Sequence, residues 1–176
     1  MATRLIALLL GAAVVLTGCG IAARRGPLQS PVATPVPSVP VAIEQTRRQL
    51  EGAIRAAGYF FDRAEQPFRP PESPAVAAAP RVVFQVLLPD DPGRGQIVVY
   101  EFPDAARAAA AGREMASYVA SGPGRVQFPP DAEHVLRQLG TTLIFYTWSR
   151  ENAATDAVQE IARVLDSVGQ GIAIPQ

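Results

Sequence analysis

Cysteine and histidine, the side chains most used for metal, redox and acid–base chemistry, occur once each in this sequence, as Cys19 and His134. One thiol cannot form an internal disulfide, and one thiol with one imidazole cannot complete a zinc or iron–sulfur site. His134 follows Glu133 in a stretch of strand character, where neighbouring side chains point to opposite faces, so the two cannot form an acid–base pair. We therefore predict no metal site and a half-buried structural role for His134.

The carboxylates are scattered along the chain, and no grouping of them matches a known type of site. Asp90 and Asp91 could offer oxygens to Ca²⁺, but such sites take about six to eight ligands, so we predict a solvated turn. The motifs of serine hydrolases, zinc proteases and phosphate-binding loops are missing from the sequence. We predict no catalytic residues, and a hydrolase built from Glu101, Asp131 and Glu133 is the least favoured function.

The charge balance argues against a nucleic-acid partner. All 16 basic residues are Arg, and they are balanced by 16 acidic residues, so the formal net charge is zero. Nucleic-acid binding needs a basic face or stripe. Because the Arg residues are scattered singly or in pairs, we expect no such partner.

The N-terminus, MATRLIALLLGAAVVLTGCG, has the layout of a secretory signal peptide. Arg4 supplies the positive charge, residues 5–16 form the apolar core, and small residues follow at Thr17 and Gly18. The core is shorter than the roughly 20 residues that a membrane-spanning helix needs. A short membrane anchor and a helix buried in the domain are the alternatives.

The segment LTGC, residues 16–19, resembles the lipobox of bacterial lipoproteins. The resemblance implies that a diacylglyceryl group is attached to the Cys19 thiol and that a signal peptidase cuts between Gly18 and Cys19, removing residues 1–18. Two or three acyl chains, such as palmitate, hold a protein firmly on a membrane. We expect a protein anchored on the extracytoplasmic side of the cell membrane or the outer membrane, with no cofactor beyond this covalent lipid.

Residues 19–42 form a proline-rich tether between this anchor and the domain that we predict at residues 43–176. Prolines at positions 27, 31, 35, 37 and 40 disfavour both helix and central strand, because each fixes φ and removes an N–H donor. The tether is either a spacer that lifts the domain off the membrane or unstructured filler.

From residue 43 onward the hydrophobic pattern predicts helices and strands in alternation. Asp104 suits a helix start, and the last helix runs from an Asn152 N-cap to Gly169. Residues 62–80 are irregular and proline-rich, and form either an ordered loop that crosses the domain or a disordered insertion. The predicted elements are a helix at 43–57, strands at 81–88 and 96–102, a helix at 104–119, a short strand at 124–128, two strands within 133–148, and the last helix.

Strands joined by hairpins, with helices between them, indicate the α+β class. We predict a single, mainly antiparallel sheet of about four to five strands with helices packed on one face. The predicted order of elements is α-β-β-α-β-β-(β)-α.

The segments QIVVYEFPDAARAAAAGREM, EHVLRQLGTTLIFYTWS and VQEIARVL resemble a group of short, uncharacterised bacterial lipoproteins. The pattern is a strand ending in YEF, an acidic residue that opens an Ala-rich helix, a hairpin with Gly at its turn and a closing helix. It covers residues 81–168. The resemblance implies the anchor and the fold, and it implies no catalytic or binding residues.

Tyr146 and Trp148 are the aromatic side chains that we consider for binding. They share one face of a predicted strand, and Glu101 is expected on the open face of the sheet. An exposed aromatic pair on such a face suits a partner or an apolar ligand. The alternative is that both rings pack beneath the segment at residues 59–80.

Three functions are consistent with these features. The first is a non-enzymatic interaction or accessory module of the cell envelope, tethered to the membrane, with an envelope protein as its partner. The second is a lipoprotein that binds a small apolar or lipidic ligand in a groove between the sheet and the 59–80 segment. The carboxylate-based hydrolase is the third.

Overall fold

The structure, a computed structural model, describes residues 40–176. Within that range the chain forms five helices and six strands. In chain order these are α1 (Val41–Ala56), β1 (Phe60–Arg63), α2 (Pro74–Ala77), β2 (Arg81–Leu87), β3 (Gln96–Glu101), α3 (Ala105–Ala120), α4 (Gly122–Arg125), β4 (Ala132–Leu139), β5 (Thr142–Ser149), α5 (Ala157–Leu165) and β6 (Gln170–Gly171).

The strands form one antiparallel sheet in the order β1-β2-β3-β5-β4-β6. This confirms the predicted α+β class with a single antiparallel sheet, and the strand number is six rather than four to five. The strands that were not predicted are the two edge strands of the sheet, β1 and β6, which are only four and two residues long. Elements this short carry no periodic pattern from which they could be predicted.

β4 and β5 form a hairpin whose register is set by its turn. Leu139 pairs with Thr142 across the two-residue turn, where Gly140 has a φ of 58°. A positive φ costs glycine nothing, and a two-residue connection holds the two strands in one register. The predicted pair of strands within residues 133–148 is therefore confirmed.

One face of the sheet is covered by α1 and α5, and we call it the α1/α5 face. Both helices have apolar residues at helical spacing and polar residues on the side away from the sheet. Their buried side chains meet those of four strands, and the cluster includes Ile43, Leu50, Ile54, Val99, Ile144, Tyr146, Trp148, Val158, Ile161 and Leu165.

The other face, which we call the α3 face, is covered by α3, α2 and the C-terminal residues. The prediction that the helices pack on one face was therefore wrong. The strand runs IVVY and LIFY are apolar without interruption, and β3 and β5 are buried on both sides. A strand buried on both faces needs a cover on each. Here the Ala-rich helix α3 supplies one, because its small side chains allow close approach to Phe145 and Leu143.

Two local predictions were wrong. Residues 124–128 are not a strand, because Ser121 caps the short helix α4, accepting a hydrogen bond from the N–H of Gly124, and Pro123 lies in its first turn. The last helix begins after Asp156 rather than Asn152, because the loop before it is held by other contacts described below. By contrast, Asp104 is the N-cap of α3 and accepts from the N–H of Arg107 at 2.7 Å, which confirms the predicted helix start.

Candidate functional site

The segment between β1 and β2 is ordered, and a buried carboxylate holds it. The Glu72 side chain is only 2% exposed. It accepts a hydrogen bond from the Tyr100 hydroxyl at 2.7 Å and one from Arg69 Nε at 2.8 Å, and Arg81 lies 3.6 Å away. Burial, followed by the hydrogen bond to Glu72, raises the pKa of Tyr100. A buried carboxylate with three partners fixes the path of the segment across the α3 face.

Three loops meet at one end of the sheet, and we call this end the hairpin pole. They are residues 64–73, the β2–β3 connection at residues 88–95, and the loop at residues 150–156. Asp91 joins the second to the third, because its carboxylate accepts from the N–H of Ala154 at 3.1 Å.

The third loop is also tied to the start of β4. Asp131 accepts from the Ser149 hydroxyl at 2.6 Å and from the N–H of Glu151 at 2.9 Å. These bonds, the one from Glu151 first, lower the pKa of Asp131. They hold residues 150–156 in an open turn, which explains why α5 does not begin at Asn152.

A cavity of about 200 Å³ lies at the hairpin pole, and we call it the slot. Residues 68–71 form one wall and residues 93–96 form the other. The end of β5 lies at its base, with Val158 of α5 on one side of the sheet and Phe128 on the other. The slot is therefore a gap in the plane of the sheet, lined from both faces.

Two further depressions adjoin the slot. An open groove of about 490 Å³ shares Gly93 and Gln96 with it and runs along the exposed side of β1 and β2. A smaller depression shares Trp148 and Val158 with it and lies against the loop before α5. Because each of these two depressions shares lining residues with the slot, the pole presents three adjoining depressions.

The structure places Tyr146 and Trp148 on one face of β5, as the sequence indicated. Of the two alternatives, an exposed pair and a buried one, the structure shows burial, since Tyr146 is 1% and Trp148 is 7% exposed. They pack beneath α5, where the Tyr146 hydroxyl donates to the carbonyl of Val158 at 3.0 Å, and burial raises the pKa of Tyr146. Both residues are among those that line the slot.

Glu101 does not belong to this site. It pairs with Thr142, six residues before Trp148 on β5, and strand geometry separates those positions by about 20 Å. Glu133 is exposed, and the Asp131 carboxylate is already bound by Ser149 and Glu151. The structure therefore does not bring the three candidate carboxylates into one cleft.

His134 is half-buried on the α3 face, as predicted. Its ring lies 4.6 Å from that of Phe128 and 5.9 Å from that of Phe145, centroid to centroid. Burial lowers its pKa to about 4. The Nδ1 atom is buried without a hydrogen-bond partner among the described residues, so His134 packs as a neutral aromatic ring.

The predicted anchor residues, Gly18 and Cys19, lie outside the described residues. Within residues 40–176, no helix has the length and apolar character needed to cross a membrane. The same range contains no group of three or more potential ligands among His, Cys, Asp and Glu that could hold a metal ion.

Sequence reasoning did not single out Phe68, Arg69, Arg94 and Phe128, whose side chains belong to residues that line the slot. They lie in loops without periodicity, and the slot exists only because distant segments meet there. The turn residues around Gly93 indicated a hairpin, but no local signal indicated what would lie beside it.

The comparisons with known proteins gave no relatives. No family model, no curated protein and no solved structure matches this chain. The likeness of residues 81–168 to a group of bacterial lipoproteins therefore stays a prediction.

Proposed function

We propose that this protein is a lipid-anchored, extracytoplasmic lipoprotein whose domain is a non-catalytic binding module of the cell envelope. The observation that carries the proposal is the set of three adjoining depressions at the hairpin pole, where three loops meet. Sites for partners and ligands are usually concave surfaces built by loops on a rigid scaffold. The sheet, covered on both faces, is such a scaffold.

The lipid anchor rests on the LTGC segment at residues 16–19. The Cys19→Ala variant should lose labelling by an alkyne analogue of palmitate and should keep its signal peptide, because the acceptor thiol is gone. Labelling of the full-length protein in a bacterial host, followed by gel and mass analysis, measures both. Ser38→Ala in the tether is the matched control and should label normally. Labelling or normal processing of Cys19→Ala would refute the anchor.

The contact surface can be tested by photo-crosslinking in the native envelope. Gly93 at the pole and Gly52 on α1 both have open space around the position of a Cβ atom, so each tolerates a photoreactive residue. We expect a defined crosslinked product from position 93 and none from position 52. Equal products at both positions, or none at either, would contradict the pole as the contact surface.

A small apolar ligand is the second candidate, because the residues that line the slot include Phe68, Phe128 and Trp148. Native mass spectrometry of the protein purified from its own envelope would show the added mass of such a ligand. A mass equal to that of the lipidated chain alone would count against it.

A further inference from the structure

The α3 face of the sheet is uncovered at its β1 edge, where two large apolar side chains lie together. Phe60 and Leu87 pair across β1 and β2. Both point to the α3 face, because their neighbours Phe61 and Val86 belong to the cluster on the other face. Both are exposed. Single exposed apolar residues are ordinary, whereas adjacent ones beside a groove are typical of a contact surface.

The open groove of about 490 Å³ contains Leu87 and continues along polar residues of the same face. Asp62 lies opposite Gln85, and Gln85 lies opposite Gln96, so these three side chains form a row across β1, β2 and β3. Glu65 follows shortly after β1 and also lines the groove. The groove therefore has an apolar end, next to a polar floor.

The polar floor offers hydrogen-bond acceptors. Gln96 Nε2 donates to the carbonyl of Gly93 at 3.0 Å, and Gln85 Nε2 donates to two backbone carbonyls. The amide nitrogens of both glutamines are thus used by the backbone, whereas neither Oε1 atom accepts a hydrogen bond among the described residues. Ionised carboxylates such as those of Asp62 and Glu65 can only accept. The floor therefore suits a ligand rich in N–H donors.

The charge at the groove is negative. Asp62 and Glu65 are exposed, and neither forms an ion pair among the described residues. Arg63 also lines the groove, but alternation along β1 directs its side chain to the face opposite Asp62. The three loops of the hairpin pole carry six acidic residues against three arginines, two of which are paired with Glu72 and Asp91. This charge favours a cationic partner.

Resting on the proposed function, we propose that the groove binds a segment of an envelope protein in which basic side chains alternate with apolar ones. The apolar side chains cover Phe60 and Leu87, and their burial provides affinity. A basic side chain lies over the polar floor, where its N–H groups donate to the carboxylates and to the glutamine oxygens. The negative charge selects basic segments over acidic ones.

The test uses the full-length protein in non-ionic detergent and three synthetic peptides. These are Leu-Arg-Leu-Arg-Leu, its counterpart with Glu in place of Arg, and its counterpart with Gly in place of Leu. Fluorescence anisotropy measures affinity, and the side-chain amide signals of Gln85 and Gln96 in a ¹⁵N spectrum locate the peptide. We expect the first peptide to bind, to shift both signals and to lose affinity as salt is raised. The acidic peptide should not bind, and the glycine peptide should bind about fivefold more weakly.

Two pairs of variants sharpen this test. Glu65→Lys reverses one charge of the groove without removing a hydrogen bond between described residues, and it should weaken binding by about fivefold. Glu133→Lys, at an exposed carboxylate of β4, is its control and should bind normally. Leu87→Ser should also weaken binding by about fivefold, whereas Val126→Ser, at an exposed valine outside the groove, should have no effect.

Several results would overturn the inference. These are equal binding of the basic and acidic peptides, undiminished binding of the glycine peptide, and binding without shifts at Gln85 and Gln96. A dimer in solution that Leu87→Ser dissociates would also overturn it, because a second copy would then cover Phe60 and Leu87. If the basic peptide does not bind while position 93 still crosslinks to an envelope partner, this inference fails and the proposed function stands. If crosslinking at position 93 fails as well, both fail.

Discussion

The two faces of the sheet are built differently. The α1/α5 face is closed by two amphipathic helices, and its buried polar groups are satisfied, such as the Thr46 and Thr142 hydroxyls 2.7 Å apart. The α3 face holds the buried Glu72 carboxylate and both buried side-chain atoms that lack a partner among the described residues, Ser73 Oγ and His134 Nδ1.

The α3 face is also covered incompletely. Phe60 and Leu87, paired across β1 and β2, are 72% and 52% exposed beside the open groove. A helix covers a sheet with one repeating apolar stripe, whereas a loop without periodicity covers it through individual anchors such as Glu72. The α1/α5 face is therefore expected to contribute most of the stability of the fold. The hairpin pole, together with the uncovered part of the α3 face, is expected to provide the binding surface.

The largest change in the free energy of unfolding is expected from a substitution on the α1/α5 face. Leu50 is fully buried in its cluster, so Leu50→Ala should lower the free energy of unfolding by about 3 kcal/mol through lost burial and a cavity. Urea denaturation of the full-length protein measures the change. Val41→Ala on the same helix, at a residue 73% exposed, is the control and should change stability by less than about 0.5 kcal/mol. Similar values for both variants would contradict a tightly packed closed face.

The next largest effect on stability is expected at Glu72, the buried carboxylate that holds the segment between β1 and β2 against the α3 face. Glu72→Ala leaves the buried Tyr100 hydroxyl without its acceptor and removes the partner of Arg69, and it should cost about 2 kcal/mol. Hydrogen exchange should accelerate in residues 64–80 and stay unchanged in α1. Glu133→Ala, at an exposed carboxylate, is the matched control and should have little effect. Faster exchange on both faces would show that the segment is not anchored independently.

The smallest effect is the pH dependence that His134 confers. Its pKa is lowered to about 4 by burial, so between pH 6.5 and 4 the unfolded chain binds a proton that the folded chain does not. Stability is fully present above pH 6.5 and falls as the pH decreases. Because the ring is partly exposed, we expect a loss of about 1–2 kcal/mol by pH 4.5. The His134→Leu variant removes this contribution, so its free energy of unfolding, measured by urea denaturation, should fall less steeply as the pH decreases. Identical pH dependences of the variant and the wild-type protein would refute this role of His134.

The parts of the fold that sequence predicted are those specified by local signals. α3 begins at Asp104 because the carboxylate caps it, and β4 and β5 are joined at Gly140 because the turn suits glycine. The short edge strands and α4 carry no such pattern. The start of α5 was missed because Asp131, which lies 18 residues before Ser149 in the chain, holds the preceding loop open.

The candidate site was predicted only in part. Tyr146 and Trp148 were placed on one face by alternation along a strand, which is a local property. Their burial depends on α5. The slot exists because residues 68–71 cross the α3 face and lie opposite residues 93–96 of the β2–β3 connection. Contacts between segments so far apart in sequence leave no periodic signal.

The sequence by itself determined the α+β class, the β4–β5 hairpin and the start of α3, because hydrophobic period, capping and turn chemistry act over a few residues. It also carries the LTGC segment, from which the lipid anchor is proposed. Only the tertiary structure decided that both faces are covered, that Glu72 anchors the irregular segment, and that a slot opens beside residues 147–149. These features arise when the burial of separate apolar surfaces brings distant segments together, and that outcome depends on the whole chain.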